Sequence, residues 1–399
     1  MTGESTGLPV RRMTARDRDE AHRASTPLEL FFDLCFVVAV AQAGARLVHA
    51  LVAGHAGAGI AGYLMVFFAI WWAWMNFSWF ASAYDIDDVP YRVTTLVQIA
   101  GVLVLAAGVP RAFDRADFTV VAIGYLVMRL ALVTQWLRAA SGERGAARQT
   151  AVRYASGVAL CQIGWLALLL PPGRLAVWAF LVMVVAELLV PPIAESGART
   201  QWHPHHIAER YGLFTIIVLG ETVSAATVAV QSALDVHRPH GQLLMIAGGG
   251  LLIVFSAWWI YFSVPIHERL RGNREAFLWG YGHYLVFASA AAIGAGIEVA
   301  VEQAVGVAHI PASAGSAAVT VPSAVYLFTV WLLHTRFHKR GLLHQSVLPV
   351  ASVAVLACTL AGHAAVPLAG VVGALAVALG VMFRARIVRA ELEGARQNA

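Results

Sequence analysis

The chain has 399 residues, of which 59% are hydrophobic and only 13% charged, with a mean hydropathy of +0.68. A soluble domain is about half apolar and about a quarter charged, so a disordered chain, a nucleic-acid-binding domain and an ordinary cytosolic enzyme are excluded. The net charge of +5 and the pI near 9.3 do not argue for a polyanionic partner, because most of the basic residues fall in the gaps between apolar runs. A helix crossing the hydrocarbon needs about 20 apolar residues, so twelve would use roughly 240 and leave only tails and short loops.

In chain order, a polar segment (1–27) carries Arg11, Arg12, Arg16, Arg18 and Arg23. The apolar run from Leu28 has the look of a signal core, but it carries Asp33 and continues to Val52, which predicts an uncleaved membrane helix. Twelve spans are predicted: 28–52, 60–83, 93–109, 118–137, 152–170, 175–194, 207–230, 242–264, 277–301, 319–335, 344–362 and 365–385. Pro90, Pro110, Pro171-Pro172, Pro191-Pro192, Pro204 and Pro311 mark breaks, since proline cannot continue a helix. Cys35, Cys161 and Cys358 lie inside apolar runs and read as small helix residues.

With the N-terminus inside and helices alternating, 22 of the 28 basic residues fall on the cytoplasmic side and 4 on the other. By the positive-inside rule this favours an even number of spans with both termini cytoplasmic, in a bacterial inner membrane. Residues 71–80 (WWAWMNFSWF) and 258–263 (WWIYFS) sit late in the second and eighth spans, about half a chain apart. Six spans per repeat is even, so the repeats would be parallel. The expected organisation is a tail 1–27, a six-helix half 28–194, a second six-helix half 195–386, and a tail 387–399.

Ionisable groups in hydrocarbon cost roughly 2.5–3.5 kcal/mol each on insertion scales, and usually face a bundle interior or a path. The first span holds Glu29 and Asp33, four apart and so on one face. They are either a terminal pair that caps the helix or part of an ion path. The seventh opens with His203, His205 and His206, then Glu209 and Arg210, and continues to Glu221. The histidines have suitable nitrogens for zinc or copper but straddle a proline and lack a cysteine, so no metal is assigned. Glu209 and Arg210 are expected to form an interfacial pair. Glu221 lies about 18 Å farther along the axis and is the favoured pathway residue. The ninth span holds His283 and Glu298 on one stripe, with His283 either a proton relay or a donor to a backbone carbonyl. Arg129 in the fourth span needs a carboxylate, and Asp33, Glu187 and Glu221 all qualify. The acidic loop Asp85–Asp88 is expected to pair with neighbouring arginines, and Gly248-Gly249-Gly250 to permit close helix packing. There is no phosphate loop, nucleotide fingerprint or G-x-S-x-G elbow, so no cofactor is expected.

Two segments carry a resemblance. Pro27-Leu28-Glu29-Leu30-Phe31-Phe32-Asp33-Leu34, and Ala208-Glu209-Arg210-Tyr211-Gly212-Leu213 through Leu219-Gly220-Glu221, resemble the bacterial low-temperature-requirement A family. His283 and Glu298 fit the same pattern, and the likeness extends over about 24–386. It implies an all-α multi-pass membrane protein, associated in at least one member with growth in the cold. Phe32-Asp33 with Phe36–Val40 is also similar to the start of the first helix in potassium channels built from two six-helix repeats, although Phe32 stands where those have serine.

Three functions follow as expectations. The leading one is a secondary transporter or channel with proton or cation coupling through intramembrane carboxylates. The second is a membrane enzyme acting on a lipid or apolar metabolite, using the histidines beside Glu209 as acid and base. The third is a structural or regulatory protein of cold growth. The expected partners are membrane lipid and a small molecule or ion, with no nucleic acid; a homo-oligomer is compatible.

Overall fold

A computed structural model describes residues 10–20, 23–169, 176–234, 240–337 and 341–397. Pro171, Pro172, Arg174, Arg238, Lys339 and Arg340, used above as breaks or charge markers, lie outside the described residues. The described chain is all-helical. Its α-helices are α1 (Pro27–Val52), α2 (Ala56–Tyr84), α3 (Val89–Arg115), α4 (Thr119–Gly142), α5 (Gly145–Ala167) and α6 (Ala176–Ala194). They continue with α7 (Pro204–Leu234), α8 (His240–Phe262), α9 (Asn273–Ala304), α10 (Ala312–Leu333), α11 (Leu342–Ala357) and α12 (Ala365–Gln397). Among the described residues, nine stretches are long and apolar enough to cross a membrane. One of these, Leu342–Ile387, takes in α11, a 3-10 turn and α12 together.

The helices outrun the apolar windows that announced them. α5 begins at Gly145 and carries Arg148 and Arg153 on its first turns, while α12 continues through Arg384, Arg386 and Arg389. Hydropathy sees only the stretch in hydrocarbon, and a polar extension can stay helical beyond it. Pro110 is not a break, because α3 runs through it to Arg115. Pro191 and Pro192 sit in the last turn of α6. Pro90, Pro204 and Pro311 do mark helix starts: Pro204 opens α7, Pro311 precedes α10, and Asp88 caps α3 with its side chain accepting from Tyr91 N, ahead of Pro90 in the first turn. Between α11 and α12, Gly362 adopts φ 55°, which only glycine reaches without strain.

The chain forms two compact units. Unit 1 comprises residues 1–43, 65–214 and 270–273; unit 2 comprises 44–64, 215–269 and 274–399. In unit 1, α3 and α4 approach closely at glycines: a Cβ on Gly101 would lie 2.9 Å from the Gly124 carbonyl oxygen. Small residues let membrane helices gain packing where no hydrophobic force drives association. In unit 2 the expected glycine contact is present, since a Cβ on Gly249 would lie 2.6 Å from Pro367 Cα of α12.

Residues 10–20 of unit 1 are not a loose tail. Arg11 N donates to Asp88 Oδ2 (2.8 Å), Arg12 Nη2 to the Gly142 carbonyl (2.6 Å), Ala15 N to Glu143 Oε1 (2.7 Å) and Arg16 N to the Ala83 carbonyl (2.9 Å). The bonds to Gly142 and Ala83 satisfy orphan carbonyls at the C-terminal ends of α4 and α2, and the other two end on the carboxylates of Asp88 and Glu143. Met13, within this strap, is buried. The acidic loop pairs as expected: Arg92 clasps Asp87 at 2.7 Å through both oxygens, and Arg138 Nη2 donates to Asp88 Oδ2 at 2.7 Å.

Candidate functional site

The start of α1 reads Thr26-Pro27-Leu28-Glu29, a capping box. Thr26 N donates to Glu29 Oε2 (2.7 Å), and Glu29 N donates back to Thr26 Oγ1 (3.3 Å). Capping therefore occupies one carboxylate oxygen. The other, Oε1, lies 3.1 Å from His206 Nε2 of α7 and 3.7 Å from Arg23 Nη2. Glu29 and His206 are fully buried.

One turn later, Asp33 Oδ1 accepts from Trp74 Nε1 of α2 and Arg210 Nη2 of α7, each at 2.6 Å. Arg210 Nη2 also donates to Ser78 Oγ (3.3 Å), whose own proton goes to the Trp74 carbonyl (2.9 Å). Aromatic rings seal this pair. Trp74 stacks on Phe214 with centroids 4.4 Å apart, and Phe32 stacks on Phe77 at 3.9 Å. Asp33 Oδ2 and the Nε and Nη1 of Arg210 are buried and make no hydrogen bond to a described residue.

Arg23 carries the network toward the loop that follows α2. Its Nη2 donates to the Ala81 carbonyl (2.9 Å) and lies 3.8 Å from Asp85 Oδ2. Burial lowers the Arg23 pKa from its ordinary value. Burial, and then the nearby Glu29 charge, pushes Asp85 up to about 6. Arg16 and Glu20 pair with each other alongside, at 2.8 Å. The core of the network thus holds three carboxylates (Glu29, Asp33 and Asp85) and two guanidiniums (Arg23 and Arg210). With His206 neutral and all three carboxylates ionised, one negative charge is unmatched.

A second buried ion pair lies within unit 1. Glu187 of α6 accepts from Arg129 Nη2 (2.6 Å), Trp72 Nε1 (2.9 Å), Tyr125 OH (3.0 Å) and Trp165 Nε1 (3.1 Å). The partner of Arg129 that sequence left open is therefore Glu187. Trp72 and Trp74 are two residues apart and so point to different faces of α2. Each gives its indole N–H to a carboxylate that also holds an arginine.

In unit 2, His283 is fully buried; its Nδ1 lies 2.7 Å from the Trp279 carbonyl and its Nε2 2.9 Å from Tyr261 OH. A carbonyl only accepts, so Nδ1 carries the proton, and in the neutral ring Nε2 accepts from tyrosine. Trp279 Nε1 donates to His334 Nε2 (3.1 Å). Glu221 and Glu298 are half-buried and have no ion-pair partner among the described residues. Within unit 2, neither bonds to His283.

The structure thus brings Glu29, Asp33 and Arg210 together, pairs Arg129 apart from them, and places Glu221, His283 and Glu298 in the other unit. Glu209 does not pair with Arg210: Arg210 turns inward to Asp33, and Glu209 Oε1 accepts from Ser25 N at 3.4 Å. Adjacent helical positions point about 100° apart, so one of the two must leave the buried face. The histidine run does not converge either. His203 Nδ1 accepts from His206 N (3.3 Å), its Nε2 faces the Glu20 carbonyl (3.1 Å), His206 faces Glu29, and His205 is exposed. Among the described residues no three potential ligands gather around a metal position. Arg23, Trp74 and Ser78 carried no mark of membership in the sequence, and Asp85 was expected to pair with an arginine but not to join this network.

The profile of the bacterial low temperature requirement A protein matches residues 24–382, which takes in every residue of the two buried ion pairs. The chain is also similar to an uncharacterized protein of Rhizobium meliloti (strain 1021), RA0937, at 28% identity over 286 residues, 67% of each chain. The chain belongs to the bacterial low temperature requirement A (LtrA) family of membrane proteins.

Proposed function

We propose that the protein is a secondary transporter or channel that couples to a proton or a monovalent cation at the network of Glu29, Asp33, His206 and Arg210. The observation that carries this reading is the unmatched buried charge. Three carboxylates against two guanidiniums leave a site short of one positive charge, in a medium where such a charge is costly. One proton, on His206 or a carboxylate, or one cation at the open Asp33 Oδ2, closes the deficit. A purely structural site favours the arrangement at Glu187, whose oxygens take four donors and whose charge is met by Arg129.

The accompanying topology is twelve spans with both termini cytoplasmic in the bacterial inner membrane, in parallel halves 28–194 and 195–386. The arginine asymmetry supports it, as does a parallel between α2 and α8. Trp74 and Tyr261 stand 187 residues apart, matching the offset of the tryptophan pairs, and both hydrogen-bond to a buried ionisable side chain. Glu221, His283 and Glu298 are then pathway residues of the second half, while Glu209 lies beside the network and Arg129 belongs to the structural pair with Glu187.

The test is ion flux in proteoliposomes, read by pH- and cation-sensitive dyes. Asp33→Asn and Glu29→Gln, reconstituted in amounts matched by folded protein, should abolish coupled flux. Wild-type flux in both would reject the assignment.

A further inference from the structure

Unit 2 contains a groove of about 1040 Å3 between the C-terminal ends of α8 and α12 and the start of α11. Small-molecule pockets run to about 300–1000 Å3, so this groove is large. Trp258, Trp259 and Phe262 from α8 and Leu348 from α11 form its apolar wall, and Arg384 and Arg389 of α12 stand at its end. No carboxylate is among its described lining residues.

The aromatic wall is open. Trp258 and Trp259 are 46% and 50% exposed, whereas Trp71 and Trp72, late in α2, are buried at 2% and 0%. Aromatic side chains concentrate at the level of the lipid headgroups, one face in acyl chain and one edge toward water. Arg384 is tied to the rim, its Nη1 donating to the Ser263 carbonyl at 3.4 Å. Arg386 follows on the same helix end. The arginine asymmetry puts this end at the cytoplasmic surface, where basic pockets between helices take anionic headgroups.

We propose that this groove binds an anionic phospholipid of the cytoplasmic leaflet. The acyl chains lie along Trp258, Trp259 and Leu348, and the phosphate sits between Arg384 and Arg389. The leaflet rests on the twelve-span topology; the binding chemistry does not depend on ion coupling. A soluble phosphate would use the arginines but leave the long apolar wall empty.

The test is native mass spectrometry of the purified full chain with equimolar phosphatidylglycerol and phosphatidylcholine of matched acyl chains. Two arginines near the surface predict about a thirtyfold preference for phosphatidylglycerol. Arg384→Gln with Arg389→Gln should erase the preference, and Trp258→Ala with Trp259→Ala should lower retention of both lipids. Equal retention of the two lipids by the wild type would overturn the proposal. So would an undiminished preference in the double arginine variant, or displacement of the lipid by an equal concentration of glycerol 3-phosphate. If the arginine variant fails to fold, the wild-type competition alone decides.

Discussion

Glu187→Gln isolates the cost of leaving a buried charge unmatched. The substitution removes the negative charge opposite Arg129, which is 1% exposed, and replaces one acceptor oxygen with a donor amide that faces other donors. Removing one partner of a buried pair costs about 3–5 kcal/mol, because the survivor keeps its desolvation penalty. Each hydrogen bond to a charged group adds about 1.5–3 kcal/mol in isolation, but the four at Glu187 share one desolvation and do not add. A loss of about 4 kcal/mol is therefore expected, a large share of the 5–15 kcal/mol that stabilises a typical domain. The double variant Arg129→Met with Glu187→Leu leaves no charge behind and should recover much of that loss, since apolar replacement of a whole buried pair is often neutral. The assay is thermal unfolding in detergent, followed by size-exclusion chromatography. Flux per folded molecule should be unchanged in the double variant. The reasoning fails if Glu187→Gln is within about 1 kcal/mol of wild type, or if the double variant is less stable than the single one.

Three further outcomes follow from the same contacts. Trp74→Phe keeps the stack on Phe214 but deletes the 2.6 Å bond to Asp33, so it should cost about 1.5–3 kcal/mol in thermal unfolding. Asp85 has a folded pKa of about 6, above its ordinary value near 3.8, so its contribution is present below pH 4 and is lost as pH rises through 6. Asp85→Asn lacks that step, so its stability relative to wild type should rise across the same window in a pH series of melting temperatures. Gly142→Ala would place a methyl against the Met13 carbonyl and displace the strap; limited trypsin digestion should then cut after Arg16 or Arg18 faster than in wild type.

The apolar runs announced the helices because hydrocarbon leaves no alternative for a backbone that must satisfy its own polar groups. Their ends were less legible, since α5 and α12 extend through arginines that hydropathy counts as loop. Proline misled at Pro110, where the helix absorbs it, whereas α6 ends at Ala194 within a turn of Pro191-Pro192, as expected. Glu29 and Asp33 stood out as charges in an apolar run, while Arg210 was expected to pair with Glu209 and turns to Asp33 instead. Their partners did not: Arg129 had three candidate carboxylates, and only packing selects Glu187. Trp74 lay in a run of indoles with no sequence mark to separate it from Trp71. The strap was hidden because its arginines donate to main-chain carbonyls, which every residue carries alike.

The unmatched charge can be counted. Purified protein taken from pH 8 to pH 5.5 at fixed salt, with proton uptake by pH-stat and bound monovalent cation by isotope retention, reports the total positive charge the network acquires. Glu29→Gln removes one carboxylate and brings the network to balance without any added charge. The account predicts that this variant takes up one equivalent less of proton plus cation than the wild type. Equal uptake by the two proteins would contradict it.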